Sequence, residues 1–208
     1  MVMGEKDTER RVQACVAAID EMNAVDPATL VFEGSRHPQA LLEGRRAQAW
    51  VERLRADARP ALRLAARAHH IRRWEVPRDR FPRTRRGYLA WRTHLYGFHA
   101  GILAGIMSAA GFGEDQIERA RTILRKEGIK RDPDVQTHED AVSLAFLEVR
   151  LEQFIPSVSD EQLLRALRRT WAKMSPAGQA EARSLVLSRP AAAAVQAALD
   201  PAGTGGEA

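Results

Sequence analysis

The sequence predicts an all-α protein. Apolar residues recur at intervals of three and four along most of the chain, which is the spacing of one helix face. Prolines and glycines separate these stretches at points where helices commonly begin and end. No run of four or more residues between turn signals alternates clearly between apolar and polar side chains, so the sequence predicts no sheet.

Three helices are predicted in the first third of the chain. Residues 7–22 carry a single apolar stripe, and Pro27 lies in the loop over 24–37 that follows. Pro38 suits the first turn of the next helix, because proline lacks an amide hydrogen that would be unpaired there. The second and third helices are predicted over residues 38–55 and 58–73.

The middle of the chain predicts a loop and three further helices. Two prolines in residues 75–86 predict the loop. Gly111 and Gly128 end the fourth and fifth helices, and Pro133 and Pro156 bound the sixth. These helices are predicted over residues 85–110, 114–127 and 134–155. The sixth has an apolar run nearly all round, so we expect it to be the central, most buried helix.

The last part of the chain predicts three short helices, over residues 159–174, 175–187 and 190–199. Ser159 and Gln162 have the spacing of a capping box at the start of the first of these. We expect residues 1–155 to form a helical core domain, 156–199 a C-terminal helical extension of that domain, and 200–208 a disordered tail.

Composition excludes several classes of protein. The 208 residues are 45% hydrophobic and 28% charged, which fits one soluble domain and argues against disorder. No apolar run approaches the ~20 residues of a membrane helix, and no apolar segment typical of a signal peptide follows the N-terminus. Cys15 is the only cysteine, which excludes a disulfide framework. We therefore expect a cytoplasmic protein without membrane association; its oligomeric state is not predicted.

Charge is unevenly distributed along the chain. The net charge is +5, but residues 45–92 hold 15 arginines and four acids, a local net of +11 that leaves −6 for the rest. Nucleotide composition can explain a preference for arginine over lysine, but it does not explain the asymmetry. The asymmetry predicts an anionic, phosphorylated ligand, with nucleic acid as a further candidate partner.

Polar residues occur on the predicted apolar face of the fourth helix. Arg92 and His99 share that face with Tyr88, Leu95, Ile102 and Ile106. A buried guanidinium without a partner is costly, so Arg92 must meet a carboxylate or line a cleft. A single histidine on an apolar face is often a hydrogen-bonded core residue, and His99 alone does not indicate a site.

Further candidate ligands lie on the other helices. His69 and His70 end the third helix, and at most one is expected to face the core, because successive helical residues point about 100° apart. Glu43 lies early in the second helix, and the alternative interpretation of this residue is a solvated charge. Glu139 and Asp140 begin the sixth, where carboxylates also stabilise a helix N-terminus. Together with His99, these residues predict a metal site or an acid–base site within a helical bundle.

The loop after the third helix supplies candidate phosphate ligands. Arg73 and Arg78 lie there, and Arg92 and Lys126 are expected to join them around an anion. Lys126 could instead cap the fifth helix. Aromatic residues interleave with these arginines, so base stacking is an alternative. The sequence contains no P-loop, dinucleotide-binding glycine motif or nucleophile elbow.

Several motifs resemble the domain-of-unknown-function family 4202. They are Pro38-Gln-Ala-Leu-Leu-Glu43, the stretch from Leu64 to Arg78 with its His69-His70 doublet, Arg86-Gly-Tyr-Leu-Ala-Trp-Arg92, Arg131 to Glu148, and Trp171 to Ser175. The resemblance covers roughly residues 10–185 and implies no activity.

A more distant resemblance is to the HD-domain metal-dependent phosphohydrolases. It implies an orthogonal multi-helix bundle and one divalent metal ion held by Glu43, His70, His99 and Asp140, with Glu139 as an alternative to Asp140. The chain departs from that pattern, since its His-Asp doublet is His69-His70 and Glu43 and Lys126 replace two histidines. A binuclear site is therefore not expected, and a metal-free anion site on the same scaffold is an alternative.

The hypothesis that best unites these residues is a metal-dependent hydrolase of a phosphorylated small molecule or nucleotide. His99 and Glu139 would be its catalytic residues, and Arg73, Arg78, Arg92 and Lys126 would bind substrate. The alternative is a metal-free module that binds RNA or another polyanion through residues 45–92. A third possibility, a protein that docks a partner through residues 156–199, has no positive support in the sequence.

Overall fold

The computed structural model describes residues 4–199, and over this range the all-α prediction is confirmed. The helices are α1 (Glu5–Asn23), α2 (Gln39–Leu54), α3 (Pro60–Arg67), α4 (Arg85–Ala109), α5 (Glu114–Leu124), α6 (Pro133–Ala145), α7 (Leu151–Phe154), α8 (Asp160–Lys173), α9 (Pro176–Ser184) and α10 (Arg189–Leu199). No helix of the described chain has both the length and the apolar character to cross a bilayer. The tail predicted over 200–208 lies outside the described residues.

The prediction that the chain has no sheet is wrong. Strands β1 (Thr29–Phe32) and β2 (Ser35–Pro38) pair in antiparallel register within the segment predicted to be a loop. Glu33 and Gly34 both have positive φ, 49° and 76°, which is the backbone of a tight hairpin turn with the twist that favours strand pairing. Strands of four residues are too short to give a clear alternation, which is why the pattern was not detected.

Local signals explain several helix ends. Ser159 and Gln162 form the predicted capping box at α8, and the Asp132 side chain accepts hydrogen bonds from two amides at the start of α6. Gly111 and Gly128 have positive φ after α4 and α5, although α5 itself ends at Leu124, earlier than predicted. The predicted sixth helix is interrupted by a π-helical segment, Phe146–Arg150, before α7.

The third helix ends six residues earlier than predicted, at Arg67. The chain then turns through residues 68–72, and Arg72 adopts a left-handed conformation with φ 51°. The Asn23 side chain accepts a hydrogen bond from the Arg72 amide and holds this turn against the end of α1. His69 and His70 therefore lie in a turn, where the 100° rule for helical neighbours does not apply.

The hydrophobic core is centred on α3, which contacts α1, α2, α4, α5 and α6. Leu62, Leu64 and Ala65 on α3 are fully buried, and burying each leucine stabilises the fold by roughly 2 kcal/mol. Leu163 and Ala198 of the C-terminal extension belong to the same core cluster. The extension therefore packs as part of one core.

The buried face of α4 differs from the predicted one. It runs in steps of four through Trp91, Leu95, His99, Leu103 and Met107. Of the residues predicted to share it, Tyr88 is 39% exposed, and Ile102 and Ile106 are only partly buried. His99 was placed correctly, and Arg92 lies at the margin of this face.

Gly44 brings α2 close to the end of α3. A Cβ atom at this position would collide with the Arg67 carbonyl oxygen, so only glycine permits this approach. The neighbouring Glu43 is thereby brought beside the turn that carries His70. This contact joins two parts of the candidate site.

Candidate functional site

A cavity of about 170 Å³ lies between the turn after α3 and the helices α4, α5 and α6. Its wall consists of four histidines, three basic side chains, three other aromatic side chains and three aliphatic side chains. The lining residues are His69, His70, Arg73, Tyr88, Trp91, Arg92, Leu95, Tyr96, His99, Leu124, Lys126, His138 and Val142. Tyr88 marks the exposed mouth, whereas His99, Leu124 and His138 are at least 98% buried and mark the inner end.

The buried Glu43 and the partly buried His70 form a hydrogen-bonded pair at this cavity. The His70 Nδ1 atom lies 2.5 Å from Glu43 Oε2. The other oxygen, Oε1, accepts hydrogen bonds from Arg150 at 3.0 Å and Gln39 at 3.1 Å. Arg150 comes from the π-helical segment, which turns its side chain toward α2. Both carboxylate oxygens are thus oriented, and the His70 Nε2 atom remains available.

His69 and His99, like His70, make their hydrogen bond through the Nδ1 atom. The Nδ1 atom of His69 donates to the Ala66 carbonyl at 2.9 Å, and that of His99 donates to the Ile71 carbonyl at 2.8 Å. In a neutral imidazole, donation from Nδ1 leaves an unprotonated Nε2. Ligand histidines in metal sites commonly have this arrangement, with the second nitrogen donating to a carbonyl or carboxylate.

The environment keeps these rings neutral. Burial lowers the pKa of His69 well below its ordinary value, and the neighbouring His70 adds to this. Burial likewise lowers the pKa of His70, with Arg73 and His99 contributing, although the side chain keeps 30% exposure and water moderates the effect. Burial lowers the pKa of His99 to about 4. Neutral imidazoles are the form that binds metal or accepts a proton.

Glu43, His69 and His70 offer ligand atoms that all lie within 4.8 Å of one another. Two of the four predicted metal ligands, Glu43 and His70, belong to this group, and His69 joins them. His99 faces the same cavity with its ring centroid 6.2 Å from that of His70, and it is outside the group. Both His69 and His70 line the cavity, because both lie in the turn after α3, and neither is fully buried in the core.

Asp140 and Glu139 are held elsewhere. Asp140 accepts hydrogen bonds from the Ser175 amide and hydroxyl at 2.8 and 2.6 Å, which ties α6 to the start of α9. Glu139 pairs with Lys126 and, at 3.5 Å, with Lys173. Burial opposes its ionisation, but the two ammonium groups outweigh burial and keep the pKa of Glu139 below its ordinary value. Neither residue lines the cavity.

Three of the four predicted phosphate ligands line the cavity. Arg73 stacks over the Trp91 ring at 4.9 Å, and Arg92 stacks over Tyr96 and bonds to its hydroxyl. Within residues 4–199, neither Arg73 nor Arg92 makes an ion pair with a carboxylate. Burial and the charge of Arg150 lower the pKa of Arg73, as expected for a cation without a counter-charge.

The remaining predicted ligands are engaged differently. Lys126 lines the cavity, but its ammonium group already pairs with the Glu139 carboxylate. Its backbone has a positive φ of 59°. The fourth predicted ligand, Arg78, donates to the Phe81 and Pro82 carbonyls at 2.7 and 2.8 Å and braces the loop before α4. It is absent from the cavity wall.

His138 was missed by the sequence reasoning. It is 1% exposed, and neither ring nitrogen makes a hydrogen bond of good geometry with any described residue. The Ala65 carbonyl lies close enough to favour the protonated ring slightly, but burial outweighs it and lowers the pKa of His138. Its position one turn before Val142, on the apolar face of the predicted central helix, was the signal that could have identified it.

Comparison with known proteins gives a family without an assigned activity. No curated protein and no solved structure matches this chain. Residues 13–195 match the family described as Domain of unknown function (DUF4202). Since this match spans most of the 208 residues, the chain belongs to the DUF4202 family.

Proposed function

We propose that the cavity binds the phosphate group of a phosphorylated small molecule and that the protein hydrolyses the phosphoester there. The observation that carries this proposal is that Arg73 and Arg92 line the cavity without a carboxylate partner among the described residues. A half-buried guanidinium without a counter-ion is unfavourable, and a phosphate would supply both charge and acceptor oxygens.

The histidines give this phosphate site its chemistry. His99 presents an unprotonated Nε2 to the cavity, so it can accept the proton of an attacking water as general base. His70 is oriented by Glu43 in the same way. Because these rings are neutral near pH 7, they add no positive charge beside the phosphate, and the arginines bind it.

A divalent metal ion fits Glu43, His69 and His70. Two histidines and one carboxylate are a common three-ligand set for catalytic zinc, which keeps a further position open. When bound, such an ion supplies a water of lowered pKa. The Arg150 and Gln39 contacts to Glu43 would then orient the carboxylate. The distant resemblance to HD-domain phosphohydrolases supports this part of the proposal, although His69 here takes the place expected for His99 and Asp140.

Phosphate binding is tested first, with inorganic phosphate as the probe. Calorimetric titration should give a dissociation constant in the millimolar range or tighter. Arg73→Met and Arg92→Met should each weaken it about tenfold or more, since a charge-assisted bond is lost. Arg59→Met is the control, because Arg59 is exposed and does not line the cavity. Equal effects of all three variants, or no binding, would overturn the proposal.

Hydrolysis and metal binding are tested separately. Release of phosphate from a panel of phosphomonoesters should fall strongly in His99→Gln, and absence of turnover across the panel would limit the protein to binding. Metal content after purification without chelator should be about one divalent ion per chain. Glu43→Gln and His70→Ala should lose the ion, whereas the exposed His94→Ala should keep it. If wild-type protein that contains no metal ion still hydrolyses the phosphomonoesters at the same rate, the metal ion is not part of the mechanism.

A polyanion-binding function has one observation in its favour. Arg83, Arg85 and Arg86 are exposed and make no ion pair within the described chain. They lie just before Tyr88, at the mouth of the cavity. If RNA binds this surface, single-stranded RNA affinity should fall steeply with salt, and replacing all three arginines should flatten that dependence.

A further inference from the structure

The inner end of the cavity holds a polar group that phosphate binding does not use. Neither ring nitrogen of the buried His138 makes a hydrogen bond of good geometry with any of residues 4–199. The cavity residues Leu124 and Val142 beside it are apolar. A buried polar group without a partner is destabilising, so His138 points to a ligand group that can satisfy it.

The chemistry of His138 narrows the choice of that group. Burial lowers its pKa to about 3, and the nearby Lys126 charge adds to this, so the ring is neutral near pH 7. A neutral imidazole has one N–H donor and one lone pair. A hydroxyl group both donates and accepts, and it matches either nitrogen. A carboxylate can only accept and an ammonium can only donate, and an ammonium would also lie near Lys126.

The dimensions of the cavity limit the size of the ligand. Arg73 and Arg92 are half-buried toward the mouth, whereas His138 is fully buried at the inner end. A ligand that reaches both ends of the cavity would carry its phosphate at the arginines and its hydroxyl group at His138, with a carbon chain between them. The cavity of about 170 Å³ holds on the order of ten water-sized atoms. That volume suits a short phosphorylated chain.

We propose that the ligand is a small phosphorylated polyol or sugar whose phosphate binds Arg73 and Arg92 and whose hydroxyl group bonds to His138. This inference rests on the proposed function, because it assumes that the arginines hold phosphate. The aliphatic side chains at the inner end contact the carbon chain. The rings of Tyr88, Trp91 and Tyr96 form a wall against which the C–H face of a sugar can pack.

Two phosphomonoesters that differ only in hydroxyl groups test the inference. Propyl phosphate and glycerol 3-phosphate have the same three-carbon chain. Wild-type protein should bind glycerol 3-phosphate about tenfold or more tightly than propyl phosphate, because only the former satisfies His138. His138→Leu should abolish this preference without changing the affinity for inorganic phosphate. His138→Gln, which keeps a donor and an acceptor, should retain part of the preference.

The possible outcomes separate the two proposals. If inorganic phosphate binds but the wild type does not distinguish the two esters, the polyol inference is overturned while the phosphate site stands, and water satisfies His138. If inorganic phosphate does not bind, the proposed function itself fails. His138→Leu removes a side chain without hydrogen-bond partners, so the variant should fold. If the variant does not fold, the preference of the wild-type protein for one of the two esters still decides whether the polyol inference holds.

Discussion

The arginine-rich segment 45–92 consists of two parts with different environments. Seven of the eight arginines from Arg45 to Arg72 form ion pairs with carboxylates. Most of these partners lie far along the chain, for example Asp20, Asp134 and Glu148. Of the seven arginines from Arg73 to Arg92, none pairs with a carboxylate in the described part of the chain.

This contrast shows that the +11 of the segment overstates the charge available to a ligand. In the first part, the arginine charges are mostly neutralised by ion pairs that hold α2 and α3 against the rest of the fold. The second part keeps its charge, and two of its arginines face a cavity with neutral histidines. Charge without a local counter-ion, and not net charge along the sequence, is what indicates an anion site here.

The largest expected effect is in the paired part, at Arg67. Its guanidinium binds both oxygens of Asp20 at 2.7 and 2.6 Å and also Gln48, and the side chain is only 12% exposed. Arg67→Met should lower the free energy of unfolding by about 3 kcal/mol, because it leaves a partly buried carboxylate with Arg45 alone. Urea denaturation measures this. A loss below 1 kcal/mol would contradict a structural role for the paired arginines.

The sequence predicted the helices well because their signals are local. Ser159, Pro133 and Gly111 act on their own neighbours, and α4 and α8 begin and end within about a residue of prediction. The two-histidine turn could not be predicted, because α3 ends at Arg67 and the turn closes at a left-handed Arg72, whose amide donates to the Asn23 side chain 49 residues away. The pairing of the arginines with distant acids was hidden for the same reason.

The second expected effect concerns the histidines that line the cavity beside the unpaired arginines. The pKa of His138 is about 3 in the folded protein against an ordinary value of 6.5. Above pH 6.5 both states are neutral and the native state keeps its full stability. Below 6.5 the unfolded chain takes up a proton that the native state does not, so stability falls as the pH falls, by about 2 kcal/mol at pH 5.

Comparison with His138→Leu isolates this contribution from those of His69 and His99. In chelator-treated protein, the loss of unfolding free energy between pH 7 and pH 5 should be about 2 kcal/mol smaller in the variant. The charges near His138 are Lys126, which favours the neutral ring, and Glu139, which opposes it. If the unfolding free energies of the wild type and His138→Leu changed identically with pH, burial would not be lowering the pKa of His138.

A smaller effect of opposite sign is expected in the unpaired part. Arg73→Met removes a cation without a counter-ion and keeps an aliphatic side chain against Trp91. The variant should gain about 1 kcal/mol in the free energy of unfolding in the absence of anions. Added phosphate should then stabilise the wild type more than the variant. A loss of stability as large as that of Arg67→Met would show that Arg73 has a structural partner and would remove the contrast between the two parts.

The smallest effect tests whether an ion pair alone is enough to make an arginine structural. Arg53 belongs to the paired part and lies 2.7 Å from Glu181, but its side chain is 60% exposed. Solvent screens such a pair, so Arg53→Met should change the free energy of unfolding by about 0.5 kcal/mol or less. High salt should leave even that difference near zero. If Arg53→Met instead matched Arg67→Met, pairing alone would explain the stability that the paired arginines provide, and burial of the pair would not be required.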